Sequence, residues 1–298
     1  MTASTFDFAG VWTAIVTPFV EGGEIDWPAF ETLLERQAAA GIKGVVIAGT
    51  TGESPALSVQ EKLSLTRKAR ALLPPEVKIM AGTGGNNTGQ SVELSKLAED
   101  AGADCLLVVT PPYNKPSPLG LQRHFTAIAD AVKIPMCLYH VPARTGQMLS
   151  VKVISDLCEI DRIGSVKEAS ADLGFFSRAL GASKSTQYLS GDDPTFLPSL
   201  SVGGSGVISV VTNVFPKIMV EIYDAFQNRD NARARELHDQ VLPVIDALFC
   251  EANPGPTKAA LAILGLAQNI VRAPLAEVTQ DHYTFLQEVI KASGLKND

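Results

Sequence analysis

Short apolar runs rich in β-branched residues alternate along the first 229 positions with longer stretches of helical period. The runs fall at 12–17, 44–48, 78–82, 105–110, 135–139, 163–167, 187–190 and 206–211, eight in all. Between them the spacing predicts helices near 28–40, 58–73, 88–101, 117–132, 150–159, 171–181, 193–201 and 216–228. Ser58 and Glu61 have the spacing of a capping box and mark the start of the second helix. Eight strands, each followed by a helix, predict an α/β fold of the (β/α)₈ TIM-barrel class. The runs are almost continuously apolar, as expected of parallel strands covered on both faces. A doubly wound open sheet is the alternative, but no Gly-rich dinucleotide loop supports it.

The pattern changes near residue 230. Arg229-Asp230-Asn231 is a polar break, and three helices without a strand are expected near 230–250, 255–267 and 274–291. Val241, Ile245, Leu248 and Phe249 give the first of them one apolar face. The expected organisation is a catalytic barrel over 1–229 and a C-terminal three-helix appendage over 230–298. The appendage would pack on the barrel and on a neighbouring subunit.

Composition narrows the classes. Of 298 residues 46% are hydrophobic, enough for a sizeable core. A net charge of −7 without a basic stripe argues against a nucleic-acid partner. Cys105, Cys137, Cys158 and Cys250 have no CxxC spacing and read as reduced core thiols. His124, His140, His238 and His282 form no HExxH or other metal-ligand cluster, so no metal site is expected. The opening MTASTFDFAG lacks the regions of a signal peptide. No apolar stretch reaches the roughly 18 residues of a membrane helix. A soluble cytoplasmic protein is expected.

Candidate chemistry lies at the carboxyl ends of the strands, where such barrels hold their active sites. Lys167 ends the sixth run; desolvation there would disfavour its charged form and leave an amine able to form a Schiff base. The alternative is a lysine paired with Glu168 or snorkelling to solvent. After the second strand, Gly49-Thr50-Thr51-Gly52-Glu53-Ser54 offers hydroxyls and N–H groups for a carboxylate, or is an ordinary turn. The fourth strand ends in a proline-fixed loop that presents Tyr113, either as a usable phenol or as packing. The fifth presents Tyr139 and, across a proline turn, Arg144. The phenol can move protons and the guanidinium can fork onto a carboxylate, or the two are a core tyrosine and a surface ion-pair partner. The seventh ends in Ser190-Gly191-Asp192-Asp193, where glycine permits close backbone approach. The eighth places the carbonyl of Ile208 at the mouth.

One lysine, two tyrosines, two threonines and one arginine on one face imply an aldolase-type route. The amine attacks the ketone of a small 2-oxo acid, the imine acts as an electron sink, and the resulting enamine attacks an aldehyde. Tyr139 is placed to move the protons. Metal-dependent aldol chemistry would need a ligand cluster that the sequence does not offer.

These motifs resemble the dihydrodipicolinate synthase (4-hydroxy-tetrahydrodipicolinate synthase) family of the N-acetylneuraminate lyase superfamily. The resemblance covers nearly the whole chain. It is carried by GTTGES at 49–54, TPPYNKP at 110–116, YHVPARTG at 139–146, VKEAS at 166–170, SGDD at 190–193, GVISV at 206–210 and EANPGPTK at 251–258. It implies condensation of pyruvate with L-aspartate 4-semialdehyde at the head of diaminopimelate and lysine synthesis, with no organic cofactor. Lys167 would carry the imine and Tyr139 donate protons. Thr50 and Tyr113 would complete a relay, Tyr113 reaching into a neighbouring subunit. Thr51, the Ile208 carbonyl and Gly191 would meet pyruvate, and Arg144 the semialdehyde carboxylate. Asn253 matches a family position without an assigned role, and the usual assembly is a homotetramer, a dimer of dimers. Another lyase of the superfamily, acting on sialic acid or a 2-keto-3-deoxy sugar acid, is the alternative. Arg144 disfavours it, because the lyases of long polyols tend to lack an arginine in this turn. A barrel that binds 2-oxo acids without turnover has no need of an imine-forming amine.

Two departures from the family pattern matter. His140 stands where asparagine is commoner, and its nearness to Tyr139 is expected to alter the relay's pH behaviour. Pro112, Val59, Lys62 and Gln90 replace the residues of lysine-inhibited members, so weak or absent lysine feedback is expected.

Overall fold

The computed structural model describes residues 6–183 and 185–296. The reading of residues 1–5 as free of a signal peptide lies outside them. Strands β1 (Gly10–Ala14), β2 (Gly44–Ile47), β3 (Lys78–Gly82), β4 (Cys105–Val109), β5 (Met136–His140), β6 (Ile163–Glu168), β7 (Gln187–Ser190) and β8 (Gly206–Ser209) pair in that order. Every pairing is parallel, and β8 closes on β1 with Trp12 opposite Ile208. The predicted (β/α)₈ barrel is the observed fold. At the closing seam the strands approach so tightly that a Cβ on Gly206 would stand 2.0 Å from the Gly10 carbonyl oxygen.

The helices are α1 (Trp27–Ala39), α2 (Val59–Leu72), α3 (Thr88–Asp100), α4 (Pro118–Ala131), α5 (Pro142–Thr145), α6 (Val151–Cys158), α7 (Leu173–Ala182), α8 (Phe196–Ser201) and α9 (Pro216–Gln227). The final three are α10 (Asn231–Ala247), α11 (Gly255–Ile263) and α12 (Gln280–Ser293). The Ser58–Glu61 capping box forms in both directions at the start of α2. The one-turn α5 is not visible in the apolar pattern, being too short to show a period.

At three of the boundaries that differ from expectation, a polar side chain takes over a backbone group. Strand β1 stops at Ala14 rather than residue 17: Val16 N–H donates to Asn213 Oδ1 at 3.0 Å, and Asn213 Nδ2 donates to the Ala14 carbonyl at 2.8 Å. Strand β8 stops at Ser209 rather than residue 211, because Asp193 Oδ2 accepts from Val210 and Val211 N–H at 2.9 and 3.0 Å. Helix α12 begins after Thr279, whose side chain caps it, rather than near 274.

The apolar residues separate by face, as the period-two alternation of strands demands. Trp12, Val46, Met80, Leu107, Cys137, Tyr139, Leu189 and Ile208 form a cluster that also takes in Phe8, and they fill the barrel interior. Their neighbours along the strands pack outward against the helices in two larger clusters. The larger of these runs without a break from α1 and α9 into Leu237, Val241, Ile245 and Leu286 of the last helices. Phe249, expected on that apolar face, lies beyond the end of α10 and is exposed. Cys105, Cys137 and Cys158 are buried core thiols as expected, and burial pushes Cys137 up to about 12. Cys250 is only partly buried, since it too follows α10 into the surface.

Candidate active site

Lys167 and Tyr139 are register partners on β6 and β5, so both side chains point into the barrel at its carboxyl end. Lys167 Nζ lies 4.5 Å from the centroid of the Tyr139 ring. The lysine is 5% exposed, and none of the ion pairs among the described residues includes it. The alternative of a Glu168 partner is therefore not realised: Glu168 is on the opposite face of the strand, bound to His140.

Gly191 follows β7 and meets the lysine stem. A Cβ there would stand 2.8 Å from Lys167 Cε, 3.0 Å from its Cγ and 2.6 Å from the Ala169 Cβ. The glycine is thus a space reserved for the lysine side chain. Asp193, two residues on, is buried; burial raises its carboxyl, while the Ser209 hydroxyl and the N–H groups of Val211 and Val210 lower it. Through those bonds it fixes the backbone just after Ile208.

The Gly49–Ser54 turn is held from far along the chain. Asn253 Nδ2 donates to Thr51 Oγ1 at 2.9 Å, and Thr257 Oγ1 donates to Asn253 Oδ1 at 3.0 Å. Thr51 is buried, and an amide donor on its oxygen leaves its own hydroxyl proton to be given elsewhere. Glu53 is fully buried against the ammonium of Lys258 on α11, which also donates to the Ile270 carbonyl at 2.7 Å. Burial pushes Lys258 down to about 8 against the opposing pull of Glu53. The second Glu53 oxygen accepts from Arg272 N–H at 2.8 Å. The turn carries strain, since Ala48 and Glu53 have φ of 53° and 56°.

Two further loops form the rim. Tyr113, with φ of 70°, is 89% exposed. Arg144 is exposed on α5, and none of the ion pairs among the described residues includes it. Gln147 Nε2 donates to the Pro116 carbonyl at 3.0 Å and ties the two loops together. Among the described residues, no hydrogen bond joins the hydroxyls of Thr50, Tyr113 and Tyr139. The structure thus brings Lys167, Tyr139 and Gly191 into contact, places the Thr51 and Ile208 elements by dedicated clamps, and leaves Tyr113 and Arg144 outward.

Sequence reasoning missed the clamps. Asp193 and Lys258 lie in the SGDD and EANPGPTK motifs, which do not show what they clamp; for Asn213 the one available signal was its polarity inside otherwise apolar surroundings. His140, next to Tyr139 in sequence, does not face it. The two alternate along β5, and the imidazole turns away from the barrel interior to Glu168 and the Phe175 ring.

A barrel of this kind, with a buried lysine and a tyrosine matched across its carboxyl mouth, defines a lyase of the class I aldolase type. Residues 7–293 match the model of the dihydrodipicolinate synthetase family, and the chain belongs to that family. It is 43% identical over 274 residues to the 4-hydroxy-tetrahydrodipicolinate synthase of Magnetococcus marinus, covering 92% of this chain and 94% of the relative. Among solved structures, the dihydrodipicolinate synthase of Acinetobacter baumannii complexed with pyruvate superimposes with a TM-score of 0.95 at 37% identity. That match covers 97% of this chain and all of the other. A monomeric dihydrodipicolinate synthase variant superimposes at 0.94 with 36% identity, covering 97% and 98% of the two chains.

Proposed function

We infer that this chain condenses pyruvate with L-aspartate 4-semialdehyde to 4-hydroxy-tetrahydrodipicolinate, the first committed step of diaminopimelate and lysine synthesis. The observation that carries the reading is the buried amine of Lys167, free of any carboxylate and set over Tyr139 at the mouth. Family membership supports the reaction, and the Lys167–Tyr139 geometry is consistent with the roles proposed for them.

Lys167 Nζ attacks C2 of pyruvate, and loss of water gives the imine. Tyr139 passes protons to and from the departing oxygen. The imine withdraws electrons, the methyl group gives up a proton, and the enamine carbon forms the new bond to the aldehyde carbon of the second substrate. The substrate's own amine then displaces Lys167 from C2, closing the ring and regenerating the free lysine. Thr51 Oγ1–H and the Ile208 carbonyl orient the pyruvate end, and Gly191 keeps that floor open. Thr50 joins Tyr139 in the relay, with Tyr113 entering from a partner subunit; its exposure in the single chain supports this. Arg144 receives the semialdehyde carboxylate at the rim.

No organic cofactor or metal is part of this proposal, since the electron sink is the imine itself. The proposed assembly is a homotetramer, a dimer of dimers. The proposed compartment is the cytoplasm, supported by four free cysteines.

Borohydride reduction in the presence of pyruvate, followed by peptide mass spectrometry, tests the mechanism: the label belongs on Lys167, and its absence there would sink the reading. Parallel assays with the semialdehyde, N-acetylneuraminate and 2-keto-3-deoxygluconate test the substrate. Turnover of either sugar acid at a comparable kcat/KM overturns the assignment.

A further inference from the structure

The geometry points to His140 and Glu168 as positioning residues: one hydrogen-bonded unit that locks Lys167 in register with Tyr139 and anchors the Arg144 turn to that pair. The inference rests on the roles proposed above for those three residues.

Strands β5 and β6 do not run in uniform register, for a shift occurs between Met136 and Cys137. Beyond it, Tyr139 pairs with Lys167 and His140 with Glu168. Side chains alternate strictly along a strand, so a one-residue slip would carry Lys167 out of the barrel and bring Glu168 in. In a strand pair that already contains an irregularity, the upper register needs its own lock. His140 Nδ1 lies 3.0 Å from Glu168 Oε1, with both side chains essentially fully buried. The same oxygen accepts from Ser170 N–H at 2.9 Å.

The other ring nitrogen decides the proton. Leu149 N–H lies 3.2 Å from His140 Nε2, and a backbone N–H can only donate. Nε2 is therefore bare, and Nδ1 carries the hydrogen that it donates to the Glu168 carboxylate. The ring of Phe175 packs against the imidazole, 5.4 Å away between centroids and tilted by 34°. One side chain thus joins three segments: its own strand end, the strand end after Lys167, and the far end of the loop that carries Arg144.

The two bonds are separable by substitution. Asparagine reproduces the Nδ1 side of histidine but does not reach Leu149; glutamine reaches the Nε2 position and leaves Glu168 with only its Ser170 N–H donor. His140→Asn is expected to keep the pyruvate KM and the rate of imine trapping within about two-fold, while the semialdehyde KM rises about ten-fold. His140→Gln is expected to slow trapping and lower kcat about 10- to 100-fold, with a smaller change in semialdehyde KM. Glu168→Gln should follow His140→Gln, because it removes the charged acceptor and keeps the shape. Equal losses in all parameters for both histidine variants overturn the assignment, as does wild-type behaviour of both. Loss of the folded state in all three, judged by circular dichroism, makes the pair merely structural and also overturns it. Should the unsubstituted chain take no label at Lys167, the catalytic reading fails instead, which keeps the two failures distinct.

Discussion

Lys167 and Tyr139 face each other across one rung of the β5–β6 ladder, with the lysine nitrogen 4.5 Å from the phenol ring centroid. Neither side chain can approach the other's substrate atoms independently, because the rung fixes both. Lys167→Ala should therefore abolish borohydride trapping and lower kcat by at least about 1000-fold. Tyr139→Phe should still form the imine, but about 100-fold more slowly, through loss of the proton donor. Stopped-flow trapping separates the two. Imine formation at the wild-type rate in Tyr139→Phe would remove the tyrosine from that step.

Gly191→Ala tests the space kept for the lysine stem. A methyl group 2.8 Å from Lys167 Cε forces the amine from its place. Overpacking of this kind costs about 1–3 kcal/mol, and an ångström of misplacement about 100-fold in rate. Normal trapping kinetics in a folded Gly191→Ala variant would show that the lysine does not depend on that space.

The Asn253 and Lys258 clamps are expected to act differently. Asn253→Ala loses one buried hydrogen bond to Thr51, worth about 1 kcal/mol, and should raise the pyruvate KM about five-fold. Lys258→Met strands the buried Glu53 charge and should cost about 3–5 kcal/mol of stability. The double variant Lys258→Met/Glu53→Gln should recover part of that loss. Denaturant unfolding measures the stability terms, and additive losses would show that the two groups are not a pair.

Acid stability should depend on Glu61. Its hydrogen bonds with Arg272 hold the carboxyl down to about 2, against an ordinary 4.5. A depressed carboxylate contributes stability that is complete above 4.5 and is lost as pH falls through the folded value. The stability gap between the wild type and Glu61→Gln should be constant at neutral pH and shrink towards about pH 3. A gap that stays constant into acid would separate Glu61 from the acid limb.

Lysine feedback should be weak. Lys62 is partly buried, and desolvation lowers its pKa; none of the ion pairs among the described residues includes it. A second ammonium group beside it would meet a like charge. Steady-state rates should be unchanged by L-lysine at about 1 mM, in the range of ordinary substrate constants. Inhibition at that level would refute the expectation drawn from Pro112, Val59, Lys62 and Gln90.

The barrel was legible because its strands are apolar on both faces and its helices keep their period, so each element announces itself locally. The strand-end residues were legible for the same reason: once the strands are placed, Lys167 and Tyr139 must share a mouth. What stayed hidden joins distant positions. The clamp of Asn213 on β1 reaches a partner 197 residues away and that of Asp193 on the end of β8 one 17 residues away, and no local pattern encodes either. The partners of His140 stayed hidden too: sequence adjacency points to Tyr139, whereas strand alternation turns the two to opposite faces.

Thr51 waits 202 residues for Asn253, and Glu53 is completed only by α11 and the segment after it. A ribosome making this chain has therefore finished all eight strands long before the Gly49–Ser54 turn has its permanent supports. Prematurely ended products carry Lys167 on a barrel whose second strand end is unsecured. The last helices thus tie the second strand end to the far end of the sequence, so that truncation before α11 removes the supports of Thr51 and Glu53 together.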